Sequence, residues 1–222
     1  MEFNDLFRTV AIYALPVIFA VTLHEAAHGY VARYFGDKTA FRAGRISLNP
    51  LRHVDPLGTI VLPLVTLTVM KLFGLGVPLG WAKPVPVNYY ALRNPKRDML
   101  WVAAAGPAAN LLMAIAWAVL LKGLQFLPEN AVTTFVGAMS VAGLQVNIVL
   151  MVLNLLPIPP LDGGRMAMSL LPNRLALGYA RLEPFGFPVI LALVLLLPQV
   201  LMAVMMPMVH ASIGVIETLF RL

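Results

Sequence analysis

The sequence predicts an all-α polytopic membrane protein with about four to six transmembrane segments, a re-entrant segment and room for a short membrane-associated β-hairpin. Three observations predict it. Hydrophobic residues make up 60% of the 222 positions and charged residues 12%, against roughly 45–50% and about 25% in soluble globular domains. Four runs are long and apolar enough to cross a bilayer as helices. The basic residues gather in a few loops between those runs, which is how a polytopic protein fixes its orientation.

Crossing the hydrocarbon core as a helix takes about 20 mostly apolar residues. Thr9 to Ala32 qualifies, with Glu25 as its only formal charge. The start of the chain superficially resembles a signal peptide, but its head carries Glu2 and Asp5, no clear A-x-A site follows, and the apolar stretch is expected to be retained. Met99 to Leu121, Asn130 to Leu161 and Pro184 to Val209 contain no charged residue and are the other three expected spans.

Pro56 to Met70 is charge-free over only 15 residues, contains Pro63 and ends at Lys71 before the Gly-rich GLGVPLGW. The distribution of Lys and Arg gives an independent test. If this segment enters and leaves on one side, residues 33–97 and 158–185 share a side that carries 13 of the 16 basic residues, and only Arg8, Lys122 and Arg221 remain opposite. A full crossing would put basic loops on both sides, so residues 56–80 are expected to form a re-entrant hairpin with residues 33–97 and 158–185 cytoplasmic. Such backbone at membrane depth is tolerated where it is buried in protein or lines a wet cavity. FRAGRISL alternates apolar and polar residues in the manner of a short strand, and the Pro-rich AKPVPVN follows later; a plain connecting loop is the alternative. No internal repeat or low-complexity tract is visible, and residues 1–222 read as a single membrane domain.

The net charge of +6 and pI near 9.9 raise the question of nucleic acid, but the loop placement of the basic residues sets that aside in favour of the lipid bilayer. With no cysteine, thiolate metal sites, disulfides and cysteine nucleophiles are excluded. Any metal must be held by nitrogen and oxygen.

His24, Glu25 and His28 form H-E-x-x-H in a helical segment, where a spacing of four puts both imidazoles on one face. Two nitrogens can then reach one Zn²⁺, with the intervening Glu beside the reacting water. A chance pair of helix histidines with a salt-bridging Glu is the alternative. Ionisable groups inside a span are costly, however, and a divalent cation would offset three of them at once. A catalytic zinc usually takes three protein ligands, so one is missing from this helix. Asp162 is the candidate. It closes NLLPIPPLDGG at the end of an apolar span, on the same expected side as the histidines. Prolines 157, 159 and 160 cannot continue a helix, and Gly163 and Gly164 allow close backbone approach. Capping of the following helix is its other reading.

HEAAH at 24–28, AGPAAN at 105–110 and NLLPIPPLDGG at 154–164, in that order, resemble the site-2 protease family of intramembrane metalloproteases over most of the chain. GRISLNPLRHVDPLGT and GWAKPVPVN resemble its short bacterial branch without a PDZ domain. The resemblance implies a three-helix catalytic core holding one Zn²⁺ per chain on His24, His28 and Asp162, with Glu25 as general base and then proton donor to the leaving amine. It also implies single-span membrane-protein substrates and a bacterial cytoplasmic membrane. Asn154, eight residues before Asp162, matches a position implied to contact the substrate carbonyl or oxyanion; an interhelical hydrogen bond is its other reading.

Gly106, Pro107 and Asn110 read as helix packing. His53 reads as a loop histidine near a phosphate headgroup or carboxylate, and His210 carries no assigned chemistry. A substrate helix must unwind to expose its carbonyls, and an edge strand from residues 41–48 or 84–88 is a candidate to hold it. Two other function classes use the same residues: a divalent-metal transporter, which gives no reason for Glu25, and a catalytically silent membrane scaffold.

Overall fold

The computed structural model describes residues 3–53, 55, 58 and 83–222. Its helices are α1 (Phe3–Tyr34), α2 (Thr39–Arg42), α3 (Pro95–Leu124), α4 (Ala131–Leu155), α5 (Asp162–Leu170), α6 (Asn173–Ala180), α7 (Glu183–Leu195) and α8 (Pro198–Phe220), with 3-10 turns at Pro50–Arg52 and Tyr89–Ala91. Four of them, α1 from Phe7, α3, α4 and α8, are long and apolar enough to cross a membrane, and the pair α6 and α7, bent by 59°, makes a fifth if counted as one broken span. The chain is an all-α polytopic membrane protein.

Local chemistry sets where the long helices begin and end. Gly36 stops α1 in a left-handed conformation (φ +108°) that a side chain would strain. Pro95 at the first position opens α3, where its missing N–H costs nothing, and Asp98 folds back to accept from the Asn94 N–H at 2.7 Å. A reciprocal Asn130–Thr133 capping box opens α4.

Helices α1, α3 and α4 pack on one another, forming the expected three-helix core, and α8 leans on α3 and α4. A buried apolar cluster joins Trp117 of α3, Ile148 and Val152 of α4, and Met205 and Val209 of α8. The ends of the helices fix the topology. Arg93 donates its backbone N–H to Phe35 O at 3.0 Å and its guanidinium to Tyr34 O at 2.9 Å, so the end of α1 meets the start of α3. Lys96 donates to Leu171 O at 2.6 Å, adding the α5–α6 junction to that side. On the far side Lys122 donates to Arg221 O at 2.9 Å.

Two expectations change. Pro184 to Val209 is not one helix: the chain breaks after Leu195, and α8 restarts at Pro198 and continues to Phe220. Pro198 has no N–H to give and its ring clashes with the preceding turn, so the apolar run is cut although no charge interrupts it. The short β-hairpin does not form among the described residues. Thr39–Arg42 is helical, and the Arg45 guanidinium ties its loop to the 83–84 segment by donating to Lys83 O at 2.6 Å and to Pro84 O at 3.3 Å. Pro84 and Pro86 remove alternate ladder donors, which explains why the pairing is made by a side chain. The re-entrant segment expected at 56–80 lies, apart from Gly58, outside the described residues.

Candidate metal centre

The four-residue spacing of His24 and His28 on α1 brings their Nε2 atoms to 3.1 Å from each other. The proline-rich turn after α4 returns Asp162 to the same point, with Oδ2 at 3.1 Å from His24 Nε2 and 3.3 Å from His28 Nε2. One donor atom from each of the three residues lies within 4.8 Å of the others. All three residues are buried, at 7–8% exposure. Asp162 is the first residue of α5, whose N-cap is Leu161, and its carboxylate is directed at the two imidazoles rather than at the backbone of its own helix. A methyl group on Gly163 would run into the Leu155 and Leu156 carbonyls, so the turn that delivers Asp162 needs a glycine there.

The outer nitrogen of each imidazole is held by an acceptor, which turns Nε2 toward the point of convergence. His28 Nδ1 lies 2.7 Å from the Val102 carbonyl, which can only accept, so Nδ1 carries the proton and Nε2 of the neutral ring is a lone pair. His24 Nδ1 lies 2.6 Å from Asn110 Oδ1, and the same reasoning leaves its Nε2 unprotonated. With both rings neutral, two imidazole lone pairs face a carboxylate oxygen, Asp162 Oδ2, that is buried without a hydrogen-bond partner among the described residues. In that form three acceptors converge, and a cation among them would relieve their mutual repulsion. Two nitrogens and one carboxylate oxygen suit zinc, and the residues present fit that group.

Gly106 makes room for the arrangement. A methyl there would lie 2.5 Å from His24 Cε1 and 2.5 Å from His28 Nε2, so only glycine lets α3 approach this closely. Gly106 and Asn110, read from sequence as packing, do pack α3 against α1, and they do so at the imidazoles: Gly106 lies against both rings and Asn110 bonds His24. The motif AGPAAN was visible, but its contact with HEAAH is not inferable from spacing.

Glu25 is half-buried and its Oε2 accepts from the Val85 backbone N–H at 2.8 Å. That contact also lay beyond sequence reasoning. Asn154 sits in the last turns of α4, half-buried, and donates Nδ2 to Leu150 O of its own helix at 3.0 Å. His53 is buried: its Nε2 lies 2.8 Å from Ser47 O, and its own carbonyl accepts from Lys83 N at 2.9 Å, so it organises the loops beside α1. His210 is exposed in the middle of α8.

Residues 125–197, which include Asn154 and Asp162, match Peptidase family M50. The chain is 36% identical over 211 residues to the "Putative zinc metalloprotease YwhC" of Bacillus subtilis, covering 93% of this chain and 89% of that protein. It is 34% identical over 186 residues to the "Putative zinc metalloprotease Rip2" of Mycolicibacterium smegmatis, covering 80% of this chain and 64% of that protein. Against the Rip2 protein of Mycobacterium tuberculosis H37Rv it is 34% identical over 144 residues, covering 65% of this chain and 51% of that protein. No solved structure matches the chain. With a family match in its C-terminal half and a relative matched over nearly its whole length, the chain belongs to Peptidase family M50, the site-2 protease family.

Proposed function

We propose that the chain is an intramembrane zinc endopeptidase of the bacterial cytoplasmic membrane, acting as one domain that hydrolyses peptide bonds in or near the membrane-spanning segments of single-span substrates. The observation that carries the reading is the convergence of His24 Nε2, His28 Nε2 and Asp162 Oδ2 inside a bundle of membrane-length helices. In this reading those three atoms hold one zinc ion. When bound, zinc acidifies water and polarises a carbonyl.

The chain's own groups do the rest. Glu25 takes a proton from the attacking water onto its carboxylate and returns it to the leaving amine, as a general base and then acid. The Val85 N–H holds Oε2 and leaves the other carboxylate oxygen for that task. Asn154 Nδ2 turns from the Leu150 carbonyl to the developing oxyanion, where a donor is worth most once water is excluded. The Val102 carbonyl of α3 keeps the His28 ring in register.

The test is metal analysis of the purified protein together with cleavage of a reporter single-span substrate, comparing wild type with Glu25→Gln. One zinc per chain in both, and cleavage in wild type only, supports the reading. Metal flux without peptide product in either protein identifies a transporter, and neither activity identifies a scaffold.

A further inference from the structure

We infer that Asn110 and Asn147 are positioning residues that form a directional hydrogen-bond relay fixing the tautomer of His24. The inference rests on the reading of His24, His28 and Asp162 as metal ligands, and concerns how one of them is kept in the form that can bind.

The two imidazoles are oriented by different means. His28 faces a backbone carbonyl, Val102 O, which has only lone pairs to offer and so dictates that Nδ1 donates. His24 faces a side-chain amide. An amide presents oxygen or nitrogen from nearly the same shape, and rotation by half a turn exchanges acceptor for donor. If Asn110 turned its NH₂ to His24, Nδ1 would have to accept and the proton would move to Nε2, between the ring and Asp162. The centre would then lose one of its ligands.

What prevents that rotation is a chain of hydrogen bonds ending on groups that cannot reverse. Asn110 Nδ2 donates to Asn147 Oδ1 at 3.0 Å and, more weakly, to Ala20 O at 3.4 Å. Asn147 in turn spends its own Nδ2 on Gly143 O at 2.8 Å, one turn back along α4. The Gly143 carbonyl can only accept, so Asn147 must show oxygen to Asn110. Asn110 must then show nitrogen to Asn147 and oxygen to His24. A backbone carbonyl on α4 thereby sets which nitrogen of a ring on α1 carries the proton, through a residue on α3. Both asparagines are fully buried, so water cannot replace either link.

A simple tie between helices is the competing account, since buried amides often do no more than hold a bundle together. The accounts differ at Asn147, which the relay makes important to the metal because of its acceptor oxygen. Asn147→Leu removes the acceptor. Asn147→Asp keeps an oxygen towards Asn110 but loses the bond to Gly143, so it perturbs the bundle while preserving the direction of the relay.

The experiment is cobalt(II) binding to the full chain in detergent, followed by visible absorption with zinc competition, for wild type, Asn110→Leu, Asn147→Leu, Asn147→Asp and Asp162→Ala, with thermal unfolding of each metal-free protein measured in parallel. Loss of an outer partner typically weakens metal binding by roughly 10–100-fold. The relay predicts a loss in that range for Asn110→Leu, about tenfold for Asn147→Leu because Ala20 O still holds Asn110 in part, and near wild-type affinity for Asn147→Asp even where its unfolding temperature falls. Wild-type affinity in Asn147→Leu overturns the relay. So do equal losses in Asn147→Leu and Asn147→Asp that follow their thermal stabilities, which is the result a mere tie gives. Cobalt binding that survives undiminished in Asp162→Ala overturns the metal-centre reading itself, and the relay with it.

Discussion

The carboxylate of Glu25 and the backbone of Val85, 60 residues apart in sequence, are joined by a hydrogen bond of 2.8 Å from the Val85 N–H to Oε2. The contact ties the proposed general base to an extended segment flanked by Pro84 and Pro86, and a side-chain substitution at Val85 leaves it in place. Val85→Pro removes the donor. Turnover of a single-span substrate is expected to fall by up to about 10²-fold, the size of effect that an ångström of misplacement produces. Metal content should stay at the wild-type value, and Val85→Ala should cost far less. Equal activity in Val85→Pro and wild type would show that the bond does not orient Glu25.

For Glu25→Gln, the amide oxygen can still accept from Val85 but the side chain can no longer take a proton. Turnover should drop by about 10²–10⁴-fold while fold and metal occupancy persist. Cleavage at the wild-type rate under zinc-replete conditions is the result that would remove Glu25 from its role.

Asp162→Ala leaves the two imidazoles without the negative charge that balances a cation. Metal affinity should fall by more than the roughly 10–100-fold that an outer partner costs, and proteolysis should be lost with it. Full zinc occupancy in this variant, measured by elemental analysis, would point to another carboxylate such as Asp55.

Gly106→Ala is the most conservative change expected to damage the site, because the added methyl lies 2.5 Å from His28 Nε2 and 2.5 Å from His24 Cε1. Either α3 moves away or the rings leave their positions. Metal content and activity should both fall although no charge or ligand is altered. Gly137→Ala, also on a long helix but 3.9 Å from its nearest neighbour, is the control expected to behave as wild type.

The absence of cysteine makes the topology testable by single introduced thiols. Tyr90 and Arg174 are exposed on the side where α1 ends and α3 begins, and Glu129 is exposed between α3 and α4 on the other. Cysteines at Tyr90 and Arg174 should be labelled from the cytoplasmic face, where basic loops collect, and a cysteine at Glu129 from the opposite face. Labelling of Tyr90 and Arg174 from different faces would break the topology.

The parts of this chain legible in its sequence are those governed by local periodicity. His24 and His28 share a face because four residues make about one helical turn, and Asp162 stood out because three prolines end an apolar run just before it. Contacts between helices obey no such spacing. His24 meets Asn110 across 86 residues, and AGPAAN viewed alone is as good a packing motif as a support for a ligand. The missing strands follow from Pro84 and Pro86, whose lack of N–H outweighed the alternation in FRAGRISL. The break before Pro198 was visible too, but charge-free length alone ran across it.

The crowding of lone pairs between His24, His28 and Asp162 also bears on how the protein matures. On the metal-centre reading, only the folded chain brings the three ligands together, so folding and loading are linked by mass action. An ion present at 100 times its dissociation constant adds about 2.7 kcal/mol to the folded state, a large share of what separates folded from unfolded in most domains. Chelation should therefore leave a looser bundle as well as an idle one, and proteolytic competence and resistance to degradation should be acquired together when the ion arrives.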